Sequence, residues 1–380
     1  MHRPDELCQH QQRKSDRDQV SLTPLPSDRR RHENHERKDQ YERAQVHEVI
    51  VMRKIDAFAH ILPPNYLDRL ERHLAATMPP AQLRYYREGV FTYDDALTDL
   101  DARWRALEPF DDYAQVLVLA VPPIEEIGPP AVAAEFARLA NEEMAALVRA
   151  FPDRFVGFAA ALPLNDVDAA LRELDRAAGE LGALGAQVYS NVLGVPLDDA
   201  RFEPLLARLE GLDRTAWLHP TRNASWSDYR SEGESNYGLW WSLGWPYETA
   251  AALARLVYSG VMERHPRLKV LAHHGAGMVP HFSARLGMGP GYRQVKETLA
   301  RPPLDYFRRF YADTALFGSP HAVRCVLDFF GPDHVLFGTD MPLGPSNAVE
   351  ATIADIESCE PSEERRAAVF AGNAARLLLV

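Results

Sequence analysis

A (β/α)8 barrel, the TIM-barrel architecture, with an insertion after its first strand is the fold class that this 380-residue α/β sequence predicts. Three observations carry that expectation. About eight short apolar runs alternate with longer amphipathic stretches, the pattern of parallel strands joined by helical crossovers. Several of the runs are closed by Pro, as at Pro63, Pro122, Pro163 and Pro220, which ends strand pairing by removing a donor. No Gly-rich dinucleotide fingerprint follows the first run, which counts against a doubly wound open sheet. A barrel takes ~250 residues and more with insertions, so residues 52–380 are enough for one.

Lys54 to His60 reads as the first strand, and Pro63-Pro64 ends it. A helical region rich in Tyr and Arg then runs to about Ala106 and forms the expected insertion. Gln115 to Val121 is the second strand, the Ala-rich stretch from Pro130 to Phe151 a helix, and Phe155 to Leu162 the third strand. Asp166 to Leu181 is helical, Gly185 to Ser190 the fourth strand, Asp198 to Leu212 a helix, and Thr215 to His219 the fifth strand. After a Trp-rich stretch from Thr221 to Pro246 come a helix over Glu248 to Arg264 and a sixth strand over Leu268 to His273. Phe310 to Ala315 and Val335 to Gly338 supply the seventh and eighth, and a polar helix closes the chain.

Residues 1–51 differ from the rest: they are rich in Arg, Asp, Glu, Gln and His, and poor in aromatic residues. Such a stretch buries too little apolar surface to offset its ordering entropy, so it reads as a disordered or mis-assigned N-terminal extension, with the domain over 52–380. A net charge of -12 excludes a protein that seeks nucleic acid or anionic lipid with its whole surface. No run reaches the roughly 18 apolar residues of a membrane span. Cys8, Cys325 and Cys359 form no CxxC pair, which leaves no disulfide framework or thiolate site and fits a reducing cytosol; the expected location is cytoplasmic.

Four strand ends carry residues suited to a metal site. The first ends in His60, the fifth in His219, the sixth in His273-His274 and the eighth is followed by Asp340. In a barrel these ends share one rim. Imidazole nitrogen and carboxylate oxygen suit zinc or a similar divalent ion. Each His alone reads more simply as a hydrogen-bonded core residue, and Asp340 alone as a turn cap; the coincidence on four strands favours the metal. Because side chains alternate along a strand, at most one of His273 and His274 is expected to face the pocket.

With these residues in view, the sequence resembles the amidohydrolase-related proteins of the aminocarboxymuconate-semialdehyde decarboxylase type, in the metal-dependent amidohydrolase superfamily. The resemblance runs from about Arg53 to Val380. It rests on Ile55-Asp56 to His60-Ile61-Leu62-Pro63, Leu218-His219-Pro220, Gly244 to Thr249, His274-Gly275 to Pro280, Phe310 to Asp313, Gly338 to Pro342 and Gly372-Asn373-Ala374. It implies His60, His219 and Asp340 as metal ligands and His274 with Asp340 as catalytic acid/base groups. It also implies Trp241 as a substrate-lining residue, with Arg87 the nearest candidate for gripping a substrate carboxylate. Phe58 stands where the family has the first His of its H-x-H pair, and Asp56 reads as a supporting group deeper in the barrel. The fourth strand has no Lys, so one divalent ion is expected, zinc first and manganese next.

The implied activity is non-oxidative decarboxylation of a small unsaturated or aromatic carboxylic acid, a carboxy-lyase reaction. Hydrolysis of an amide, ester or lactone, or hydration, would use the same site, and a barrel that lost its metal with the first histidine is a further alternative. Trp240, Trp241 and Trp245 read either as a substrate wall or as a surface cover. The expected partner is the small-molecule acid, with no nucleic acid and no membrane; a homodimer is compatible with the sequence.

Overall fold

The computed structural model describes residues 52–288 and 299–380; the extension expected over 1–51 lies outside the described residues. Seven parallel strands form one sheet in chain order: β1 (Lys54–Ile61), β2 (Tyr113–Leu119), β3 (Phe155–Ala160), β4 (Gly185–Tyr189), β5 (Thr215–His219), β6 (Lys269–Ala272) and β7 (Tyr311–Ala312). Every residue of β2, β4 and β5 is buried, as expected of strands covered on both faces, which read as apolar runs without polar alternation.

The sheet curls far enough for one segment to bond to both of its edges. Val335 bridges Ala312 in parallel, and Leu336 donates its N–H to the Ala312 carbonyl at 2.8 Å. On the other side, Ala57 donates to Phe337 O at 2.8 Å and His60 to Met341 O at 2.7 Å. The eighth strand expected over Val335 to Gly338 is thus an extended segment with one isolated bridge. Its backbone is partly bonded elsewhere: Phe337 donates to Val369 O, and Asn373 Nδ2 donates to Val335 O. These groups on the closing C-terminal turns take the place of a regular ladder.

Helices flank the strands. Between β1 and β2 lie α1 (Pro64–Thr77), α2 (Pro80–Tyr86) and α3 (Leu100–Leu107). Pro at the first turn of α1 and α2 costs nothing, since those N–H groups have no intrahelical acceptor. The longest, α4 (Pro130–Ala150), follows β2; α5 (Val167–Gly179) is capped by the Asp166 carboxylate, which accepts from Ala169 N at 3.0 Å. Further along are α6 (Glu203–Gly211), α7 (Gly244–Tyr258), α8 (Pro320–Phe330) and α9 (Ala348–Cys359). The expected helix over Glu248 to Arg264 begins four residues earlier and breaks at Gly260, whose φ of 78° suits only a residue free of Cβ strain. No helix among the described residues is long and apolar enough to cross a membrane.

Two apolar clusters hold the fold. The larger packs helices on the outer face of the sheet. The smaller fills the inside of the curl with Ile55, Phe58, Val116, Trp217, Leu271 and Leu336 among others. Trp217 spans that interior and donates its indole N–H to Ala57 O at 2.9 Å, tying β5 to β1.

Register decides what meets at the strand ends. Leu218 pairs with Ala272 and Ala272 with Ala312. The next residues, His219, His273 and Asp313, therefore emerge side by side. Tyr189 pairs with His219 on the other flank. β1 has a register shift between Asp56 and Ala59, the kind of irregularity that re-aims side chains beside a site.

Candidate metal centre

Asp340 is the hub of the strand-end cluster. Its backbone has a positive φ of 64°, a conformation that Asp tolerates better than most residues. Its carboxylate is approached by three imidazoles: His60 Nε2 at 3.1 Å and His273 Nε2 at 3.3 Å on Oδ1, and His274 Nε2 at 3.5 Å on Oδ2. The His219 ring lies 5.3 Å from those of both His60 and His273. Burial works against the charge on Asp340, but the imidazoles of His273, His274 and His60 beside it outweigh it and hold the carboxyl well below the usual range.

Each imidazole is set by its own surroundings. His219 is pinned by a 2.6 Å hydrogen bond between Nδ1 and the Pro220 carbonyl, which turns Nε2 toward the cluster. Burial, then the neighbouring imidazoles, lower its pKa well below the ordinary value. His273 is fully buried, with Nδ1 on the Asp313 carboxylate. Burial opposes its charge, yet Asp313 and Asp340 together raise its pKa to about 9. His274 keeps 11% of its side chain exposed and points to the mouth, with its ring 6.2 Å from Trp245 and 5.8 Å from Phe317. Burial and His273 lower its pKa.

The expectation that only one of His273 and His274 could face the pocket fails on backbone geometry. The chain leaves the strand at His274, with φ 54° and ψ 49°. Gly275 and Gly277 continue the turn at φ 61° and 60°. A Cβ on Gly277 would stand 2.3 Å from Pro246 O, so only glycine fits there. The turn brings both rings to Asp340, with centroids 3.8 Å apart and 34° between their planes.

The donor set fits a divalent ion. Neither ring nitrogen of fully buried His60 makes a directional hydrogen bond, a costly state for a polar group unless a ligand completes it. Ligand atoms of His60, His219 and His273 lie within 4.8 Å of one another, as do those of His273, His274 and Asp340.

Behind the cluster, Asp56 ties the eighth segment to β1. Its Oδ1 accepts from Phe58 N and Thr339 N, both at 3.1 Å, and its Oδ2 from Thr339 Oγ1 at 2.6 Å and Tyr113 OH at 2.7 Å. Fully buried Arg103, on α3, donates to the carbonyls of Ala96 and His60 and to Gln115 Oε1. Asp56 thus fixes the residue before Asp340, and Arg103 fixes the backbone of His60.

A cavity of about 420 Å³ adjoins the cluster at Pro220 and Trp245, whose ring is 5.2 Å from His219. Tyr85, Tyr86, Trp240 and Arg222 line it further out. Trp241 is half exposed and packs against the outer side of Trp245, 6.5 Å between ring centroids. Arg87 pairs with Glu71 at 3.3 Å on the exposed side of the β1–β2 connection and is not among the residues lining this cavity. The arginine that does line it is Arg222, held by Glu248 at 3.6 Å and Asp228 at 3.7 Å. The strand ends therefore bring together His60, His219, His274 and Asp340, with Trp241 at the periphery and Arg87 away from them. Sequence reasoning missed Asp313, Arg222 and the inward turn of His273. Asp313 carries the same signal as Asp340, a carboxylate just past a buried strand; Arg222 sits two residues past Pro220 in the Trp-rich loop.

Comparison with known proteins places the chain in a family. The amidohydrolase family model matches residues 55–380. A gamma-resorcylate decarboxylase of a Polaromonas species is 34% identical over 296 residues, covering 73% of this chain and 86% of its own. The 2-amino-3-carboxymuconate-6-semialdehyde decarboxylase of Dictyostelium discoideum is 29% identical over 340 residues, covering 86% of this chain and 91% of its own. Among solved structures, a dihydroxybenzoic acid decarboxylase from a Polaromonas species, with bound manganese and the inhibitor 2-nitroresorcinol, superposes with a TM-score of 0.71. It is 27% identical and the match covers 86% of this chain and 97% of that one.

Proposed function

The chain belongs to the amidohydrolase family, and from that premise we propose that it is a metal-dependent carboxy-lyase that removes carbon dioxide from a small aromatic or unsaturated carboxylic acid without oxidation. The observation that carries this reading is a buried cluster in which His60 meets Asp340 and ligand atoms of His60, His219 and His273 converge, with the ring of His274 6.2 Å from Trp245, which lines the aromatic cavity. The relatives with decarboxylase names and the manganese-bound neighbour support it. We assign His60, His219 and Asp340 as ligands of one ion, zinc or manganese. We read residues 52–380 as a complete barrel whose β1–β2 connection is an insertion at its mouth.

The reaction replaces a carbon–carbon bond by a carbon–hydrogen bond: R–COO⁻ and a proton become R–H and carbon dioxide. When bound, the ion supplies fixed positive charge that orients an anionic substrate. The chain supplies the rest. Trp245, Trp240 and Tyr86 offer apolar faces against which a planar acid can lie, with Trp241 extending the wall outward. Arg222 puts a cation in the same cavity. His274 delivers the proton to the carbon that loses carbon dioxide, and Asp340, beside its Nε2, holds the ring and takes part in the proton's passage. The apolar wall keeps bulk water from the carbanionic carbon before the proton arrives.

The test is carbon dioxide release by metal-loaded protein from a panel of hydroxybenzoic and dienoic acids. Release matched one to one by loss of the acid is expected. Hydrolysis of amide, ester or lactone substrates without any release from the acids would refute it.

A further inference from the structure

We propose that His273 is a further ligand of the divalent ion, replacing the imidazole that the first strand lacks at Phe58. The inference rests on the reading that this site holds an ion, and it assigns a fourth protein donor to it.

The two adjacent histidines have different partners. His273 is fully buried, and its Nδ1 meets the Asp313 carboxylate. Asp313 is itself held in place, because its Oδ1 accepts from Gly275 N at 3.1 Å and Ala315 N at 3.2 Å. A carboxylate on one ring nitrogen is the usual support for a histidine whose other nitrogen binds a metal. In the neutral ring, with its one proton on Nδ1 toward Asp313, Nε2 offers a lone pair to an ion in place of its hydrogen bond to Asp340. Nε2 lies 3.3 Å from Asp340 Oδ1. His219 is in the same position, with Nδ1 engaged by Pro220 O. With both rings neutral, their Nε2 atoms and the Asp340 carboxylate are all acceptors, a set that a cation between them would satisfy. His274 has no carboxylate behind it and opens toward Trp245 and Phe317.

The spacing agrees. Donor atoms held at about 2.0–2.2 Å around a tetrahedral ion stand about 3.3–3.6 Å apart. His273 Nε2 is 3.3 Å from Asp340 Oδ1, at the short end of that range, and His60 Nε2 is 3.1 Å away, just below it. Phe58 completes the case. Its ring lies parallel to that of His273, with centroids 3.7 Å apart and 8° between planes. It fills the space of the missing first-strand imidazole and fixes the plane of the ring that replaces it.

The experiment is X-ray absorption at the zinc edge on the full chain loaded with one equivalent of zinc, with zinc affinity measured by chelator competition for the wild type, His273→Ala, Asp313→Asn and His274→Ala. Three imidazoles in the wild type are expected. Affinity should fall at least 100-fold in His273→Ala, about 10–100-fold in Asp313→Asn, and less than threefold in His274→Ala. Two imidazoles in the wild type, or unchanged affinity in His273→Ala, would overturn the inference and leave the metal reading standing. A wild type that takes up no zinc or manganese would overturn both. If His273→Ala does not fold, the imidazole count of the wild type decides alone.

Discussion

Replacing Asp56 by Ala should destabilise the protein by about 3–6 kcal/mol, whereas Asn at the same position should cost only about 1–2 kcal/mol. The difference follows from the four hydrogen bonds that end on this carboxylate. Oδ1 accepts two backbone amides, from Phe58 and Thr339; Oδ2 accepts two hydroxyls, from Thr339 and Tyr113. Ala leaves both amides without a partner in a fully buried place, and each buried orphan costs about 1–3 kcal/mol. The small cavity adds to this. Asn keeps a carbonyl oxygen for the two amides and turns its NH2 toward two hydroxyls, which can rotate to accept. The assay is urea unfolding of metal-loaded protein, followed by tryptophan fluorescence and circular dichroism. Equal losses in the two variants, or a loss below about 1 kcal/mol in Asp56→Ala, would refute the account of how this carboxylate is used.

Three further outcomes are expected. His274→Ala should keep its metal and lose about 10²–10⁴ in turnover, whereas His219→Ala should lose the metal itself; elemental analysis beside kinetics separates the two roles. Phe58→His should bind metal more tightly and turn over more slowly, because an added imidazole fills a position that substrate or water needs; unchanged affinity by chelator competition would show that residue 58 does not face the ion. Deleting residues 1–51 should leave the melting temperature and turnover of the remaining domain nearly unchanged, since that composition cannot support a core; a large fall in either would contradict this.

Much of this architecture was legible in the sequence because parallel strands buried on both faces leave plain apolar runs, and β1 to β7 fall within or close to those runs. The eighth run was legible as an extended segment but not as one bonded to Val369 and Asn373, because those partners lie more than thirty residues away. The gathering of histidines from the first, fifth and sixth strands near Asp340 followed from strand ends alone. The inward turn of both His273 and His274 did not, since it depends on a left-handed residue and two glycines packed under Pro246 and Val326. Arg222 was hidden for a similar reason: Asp228 and Glu248, which hold it, come from separate parts of the loop and α7.

The central claim is that this site exchanges a carboxylate for a proton, and isotopic labelling of the product tests it most directly. Metal-loaded protein acting on an accepted aromatic acid in heavy water should release one carbon dioxide and place one deuterium on the vacated ring carbon, read by mass spectrometry and proton NMR. Product that instead carries oxygen from labelled water, with no carbon dioxide and no deuterium on carbon, would identify a hydrolase or hydratase and contradict the account.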